Sequence, residues 1–236
     1  MRLLISFCAA LLLIAAAGLA VYFIYSASQT ADGFHPTLKP AHAFLASDAD
    51  GFVATFSAAD FLARGLARGL TAPDAHAHYN ALAAAGVRAP TPAERARLPA
   101  EARDRAVVVE DPRYEGGLPH TRGEFMFLPA GLFSQGRADL DTVVAHELVH
   151  LRQRARPAEA RAWAEAHGYR LAGDGTQQRL PLQRANPDLD GLAWEGPDGR
   201  RVAFVYTSES PRGLQDGHVV GGTEYEHPYE AQAYSA

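Results

Sequence analysis

Apolar and polar positions change their spacing several times along the chain, and each change marks an expected element. Leu3 to Tyr25 carries no charge and is almost wholly apolar, with Arg2 before it. At about 1.5 Å per residue, a helix over that run is long enough to cross a bilayer core. Residues 1–25 therefore read as an uncleaved signal-anchor, with a cleaved signal peptide ending in Ala15-Ala16-Ala17 or Ser26-Ala27-Ser28 as the alternative. Residues 26–43 are polar and carry Pro36 and Pro40, the pattern of a tether. From about 44 to 236 no repeat or low-complexity linker interrupts the chain, which predicts one domain.

Within that domain, Ser57-Ala-Ala-Asp60 resembles a capping box and predicts a helix ending near Gly69. Thr71-Ala-Pro-Asp74 opens a second helix that Gly86 closes, and Thr91-Pro-Ala-Glu94 opens a short third one. Ala106 to Glu110 and Glu124 to Leu128 read as strands, separated by the turn-rich stretch Asp111 to Gly123. Asp139 is the expected cap of a helix over 140–155. Pro157 starts another helix, which Gly168 ends. Leu192 to Trp194 and Arg201 to Tyr206 flank Gly196-Pro-Asp-Gly199, the pattern of a β-hairpin. Pro228 suits the first position of a short tail helix. The fold class is α+β, mainly helical, with a small antiparallel sheet beside the 140–155 helix.

Composition narrows the function. Hydrophobic residues make up 47% and charged residues 21%, which excludes a disordered chain. The net charge of −5 argues against nucleic acid as a partner. Cys8 is the single cysteine, so neither a disulfide framework nor a cysteine-based metal site is available. Asp48-Ala-Asp50-Gly51 lacks the remaining ligands of a calcium loop and reads as a turn, as does Arg184-Ala-Asn-Pro-Asp188. His76 and His78, two apart on a helix, do not share a face.

His146-Glu147-Leu148-Val149-His150 is the informative motif. Residues four apart share a helix face, so both imidazoles reach one tetrahedral Zn²⁺, and Glu147 beside them can take a proton from the water on that ion. Shuffling this composition yields H-E-x-x-H about 0.02 times per chain. Leu140, Val143, Val144, Leu148 and Leu151 form the apolar stripe of the same helix, which puts the polar trio at the edge of its buried face. A third protein ligand must come from another element. Glu224, Glu226, His227 and Glu230 cluster downstream as candidates.

With these residues the chain resembles the gluzincin branch of zinc metallopeptidases, in which a later helix supplies a glutamate ligand, often within E-x-x-A-D. Glu230-Ala231-Gln232-Ala233-Tyr234 matches the glutamate and the small alanine, and Tyr234 stands where an aspartate commonly braces the first ligand histidine. Positions 153 and 156 are Gln and Arg, which excludes the metzincin pattern H-E-x-x-H-x-x-G-x-x-H. Pro228 places Glu230 in the first turn of its helix, whereas Glu226 and His227 precede the proline in extended chain. Glu230 is thus the expected third ligand. Glu226, His227, Tyr225, Tyr229 and Tyr234 are candidates for supporting the ligands or stabilising an oxyanion, Tyr206 and His218 are further oxyanion candidates, and His120 is a candidate for substrate contact. The resemblance implies a zincin-like fold and zinc-dependent cleavage of peptide or protein substrates, with Glu147 activating the water. The alternative is an idle zincin-like scaffold that uses zinc structurally. Arg2 keeps the N-terminus cytoplasmic, so the domain is expected on the periplasmic or extracellular side, or secreted if the segment is cleaved.

Deleting residues 2–25 should leave a folded, soluble domain, because the apolar run belongs to the bilayer and not to the core. Aggregation of the truncated protein in size-exclusion chromatography would refute that boundary.

Overall fold

Leu38, Ala41 and Leu45 recur at helical spacing and form helix α1 (Leu38–Ser47), with Ala41 and Leu45 fully buried. The helix takes in residues 38–43 of the expected tether. Pro40 is compatible because it lies in the first turn, where its missing N–H is no loss. The computed structural model describes residues 38–66, 70–111, 113–173 and 179–236, and Thr37–Ala236 forms one compact unit. The expected membrane or signal segment lies outside the described residues. Among those described, no helix is long and apolar enough to cross a membrane.

The capping signals work as read. Ser57 and Asp60 exchange side-chain-to-backbone bonds at the start of α2 (Ala58–Ala63), and Thr71 caps α3 (Ala72–Ala85). Thr91 and Glu94 form a second capping box at α4 (Pro92–Arg97), which a short α5 (Ala100–Arg103) follows. Helix α2 stops well before Gly69. Gly65 adopts φ +78°, a left-handed conformation suited to glycine, and Arg64 turns inward to an ion pair.

The first sheet is mixed and not purely antiparallel. It contains β1 (Val87–Arg88), β2 (Ala106–Glu110), β3 (His120–Arg122) and β4 (Phe125–Pro129) in the order β1-β2-β4-β3, with β2 and β4 parallel. Strand β3 arises inside the stretch read as turns and pairs antiparallel with β4. Gly123 makes that hairpin possible: its φ is +56°, and a Cβ there would lie 2.8 Å from the Phe44 ring.

Alternation along β2 and β4 sorts the two faces. Val107, Val109, Met126 and Leu128 pack with Leu140 and Val144 of helix α6 (Arg137–Ala155). Val108, Phe125 and Phe127 pack with α1 and α3 on the other face. Helix α6 starts at Arg137, so Asp139 sits in its first turn and is not the cap. Helix α7 (Pro157–Ala166) follows, and Gly168 ends it as expected.

A second, antiparallel sheet joins β5 (Arg170–Leu171), β6 (Trp194–Glu195), β7 (Arg201–Tyr206) and β8 (Gly217–Val220) in that order. Its β6–β7 hairpin turns at Gly196 to Gly199 as the sequence predicts. The fully buried Trp194 packs with Ala164, Tyr169, Val202 and Ala231, so this sheet supports the tail helix α8 (Pro228–Tyr234). The observed fold is α+β.

A buried polar network ties the layers together. Arg64 donates to both Glu115 oxygens at 2.8 Å, to Asp60 at 3.2 Å and to the Ala185 carbonyl at 2.8 Å. Tyr79 donates to Glu115 as well. Burial alone would push Glu115 up, but the Arg64 charge and hydrogen bonds override it and hold the carboxyl at about 2. A depressed carboxylate adds stability above its unfolded value and loses it as pH falls through the folded one. Glu115→Gln should therefore cost about 3–5 kcal/mol at neutral pH, because it removes the bidentate partner of buried Arg64 and leaves it the 3.2 Å ion pair with Asp60. The gap from wild type should narrow as pH falls from about 4.5 towards 2. Urea denaturation of both proteins across that range checks it; a gap independent of pH would refute the linkage.

Candidate metal centre

Helix periodicity sets the two imidazoles of α6 on one face, and the tail helix brings a carboxylate to them. His146 Nε2 and His150 Nε2 lie 3.0 Å apart, and Glu230 Oε2 is 3.3 Å from the first and 3.7 Å from the second. Tetrahedral ligation with metal–ligand bonds of about 2.0–2.2 Å separates donor atoms by about 3.3–3.5 Å, close to this spacing. His146, His150 and Glu230 thus form a group able to hold a metal ion. The donor set of two imidazoles and one carboxylate leaves a fourth tetrahedral position to a water or substrate.

Two of the three ligands, His150 and Glu230, are aimed by a neighbour. Gln153, one turn beyond His150, donates from Nε2 to the Tyr229 carbonyl and to Gln232 Oε1, both at 2.9 Å. Its Oε1 therefore faces His150 Nδ1 at 2.8 Å. That bond places a proton on Nδ1 and turns Nε2 towards the cluster. Asn186 performs the matching task for Glu230. Its Oδ1 accepts from the Asp188 N–H at 2.9 Å, so its Nδ2 faces the acids, donating to Glu230 Oε1 at 3.0 Å and Glu226 Oε1 at 2.8 Å. Glu230 Oε2 is left for the histidines.

Asp188 accepts from the N–H and hydroxyl of Thr121, both at 2.7 Å. Arg154 donates to Thr121 and to the carbonyls of Gly123 and Pro187, which fastens the edge of the first sheet and residues 186–188 to α6.

The electrostatics follow from burial. Glu147 is 2% exposed, and burial first, then the Asp188 charge, pushes its carboxyl well above the usual range against the pull of His150. Burial lowers His150, but Asp188 and Glu230 outweigh it and raise the imidazole to about 10. Glu230 is driven the other way: burial opposes its charge, and hydrogen bonds from His146 and His150 hold it far below the carboxylate norm.

The other candidates divide clearly. Tyr234 packs edge-on to His146 at 4.5 Å and stacks with Tyr225, so these two tyrosines flank the cluster. Glu226 is held by Asn186 and lies 3.4 Å from Arg184. His227 spends both nitrogens elsewhere: Nδ1 accepts from the Tyr229 N–H as the cap of α8, and Nε2 lies 3.1 Å from Asp190. Tyr229 is buried against His227 and beneath the charge of Asp190. Glu224 and His218 are exposed. Tyr206 donates to Asp60 at 3.3 Å in a different part of the core.

His120 does not face a substrate. It pairs with Phe127 in the β3–β4 register and stacks on that ring at 4.9 Å, which puts it on the sheet face away from α6, at 2% exposure. At the edge of β3, the Thr121 N–H and carbonyl are taken up by Asp188 and Arg154. A cavity of about 210 Å³ lined by Val149, Arg152, Gln153, Trp163 and Gln232 lies behind Gln153 and touches none of the three ligands.

No family model, curated protein or solved structure matches the chain.

Two predictions follow from the ligand geometry. Glu230→Gln should weaken metal by more than about 10-fold, Gln153→Ala and Asn186→Ala by about 10- to 100-fold, and Glu226→Gln by little. Competition with a chromogenic chelator measures this, and loss of metal in Glu226→Gln alone would overturn the assignment. Metal entry must also displace a proton from the His150–Glu230 pair, so affinity should rise with pH between 6 and 9. A flat profile by isothermal titration would contradict that coupling.

Proposed function

We propose that the chain is a zinc-dependent peptidase of the gluzincin type, tethered or secreted on the outer side of a membrane. The observation that carries the reading is the position of Glu147: a buried carboxyl, which burial pushes above the usual carboxylate range, next to a cluster of two histidines and a glutamate. A zinc ion held by His146, His150 and Glu230 would supply Lewis acidity and bring a water towards ionisation near neutral pH.

The chain's own residues do the rest. Glu147 accepts the proton of the attacking water and returns it to the leaving amine, a task for which a carboxyl tuned upward by burial is suited. His150 keeps its Nε2 directed at the reacting centre through Gln153, and Glu230 keeps its Oε2 there through Asn186. Tyr234 and Tyr225 form an aromatic wall beside His146, which gives the substrate an apolar surface and a hydroxyl donor near the oxyanion. A purely structural metal site would have no use for an acid–base group at 147, which disfavours the idle scaffold.

Glu147→Gln should retain one zinc per chain and lose hydrolysis of a peptide pool by about 10²- to 10⁴-fold. Elemental analysis and mass-spectrometric cleavage assays decide it; equal cleavage by both proteins would end the peptidase reading.

A further inference from the structure

Residues 183–188 lie between the second sheet and the tail helix, and several of their polar groups have close partners, in contrast to the Arg184 side chain. The Arg184 N–H donates to Phe204 O at 2.9 Å, and the Ala185 N–H donates to Asp60 at 2.8 Å. The Ala185 carbonyl accepts from Arg64 and the Pro187 carbonyl from Arg154. The Arg184 guanidinium is less well matched. Its side chain is 12% exposed, yet its one ion-pair contact among the described residues is Glu226 Oε1 at 3.4 Å, an oxygen that Asn186 already engages at 2.8 Å. Arg184 Nε is buried without a partner, and the Phe204 ring lies 5.6 Å beneath the group.

A guanidinium carries five donors in a planar fork. Burying the fork with its Nε unanswered and its Nη1 on a shared, 3.4 Å acceptor is costly unless something else completes the group. The fork is shaped for a carboxylate, which it can grip with two parallel bonds.

Location adds the second argument. From Arg184 a short relay runs through Glu226 and the Asn186 amide to Glu230, the metal-facing acid. Two to three residues of extended peptide, at about 3.3–3.6 Å each, cover that reach.

We propose that Arg184 is a substrate-binding residue that takes a carboxylate two to three residues from the bond cleaved, making acidic or free-C-terminal peptides the preferred substrates. The assignment rests on the peptidase reading for the word substrate. The anion site itself does not depend on it. Phe204 packs against the fork, Glu226 holds one end of it, and the substrate carboxylate takes the terminal donors that Glu226 leaves free.

The test uses the full chain loaded with zinc and needs no turnover. Binding of N-acetylglycine, N-acetylglycinamide and N-acetylglutamic acid α-amide is measured by calorimetry or saturation-transfer NMR. The acids should bind about 10-fold or more tightly than the neutral amide. Arg184→Gln should bring that ratio close to one with metal content unchanged, and Arg184→Lys should leave it intermediate. Preference for N-acetylglycine assigns a terminal carboxylate; preference for the glutamate amide assigns an acidic side chain. Equal binding of acid and amide by wild type, or a ratio that survives Arg184→Gln, overturns the proposal. If Arg184→Gln fails to fold, an unchanged ratio in Arg184→Lys does the same. A hexapeptide pool left uncleaved while the ratio stands would remove the peptidase reading and keep the anion site; cleavage with a ratio near one would do the reverse.

Discussion

A buried segment of irregular chain must find partners for its backbone polar groups, and residues 183–188 meet that demand by drawing on nearly every layer of the molecule. Asp60 from α2 and Arg64 just past its end hold Ala185, Phe204 from β7 holds Arg184, and Arg154 from α6 holds Pro187. Thr121 at the edge of the first sheet holds Asp188. Because the segment is fixed on all these sides, Asn186 is fixed too, and with it the carboxylate of Glu230. The metal-binding group is in this sense a product of the loop as much as of the helix that carries its histidines.

The tail helix illustrates the same dependence. Seven residues cannot sustain a helix by propensity. This one has an imidazole cap from His227, a proline at its first position, and Ala231 packed under Trp194. Gln153 adds a bond from α6 to its backbone. Packing supplies what length does not, and the first-turn position of Glu230 then directs its side chain at His146 and His150.

Much of this was legible in the sequence where the signal is local. The four-residue spacing of His146 and His150, the apolar stripe from Leu140 to Leu151, the capping boxes at Ser57 and Thr91, and the placement of Glu230 after Pro228 all depend on neighbours along the chain. What escaped depends on partners far away. Strand β3 exists because β4 offers a ladder, and the face on which His120 lies follows from that register alone. Asn186 looked like a turn residue, and it does bond its own backbone at Asp188; only the distant approach of α8 gives its amide nitrogen a second task. Gln153 was within reach of sequence reasoning, since it sits three residues past His150 on the same face.

The bridging amide of Asn186 has a consequence for how this protein can vary over generations. One nitrogen satisfies two carboxylates, while the oxygen on the same side chain is committed to the Asp188 N–H. An aspartate at 186 would keep the turn but set a third acid against Glu226 and Glu230, and a leucine would remove the donor that the two acids share. A change at 186 is therefore felt at 226 and 230 together, because one amide nitrogen serves both acids.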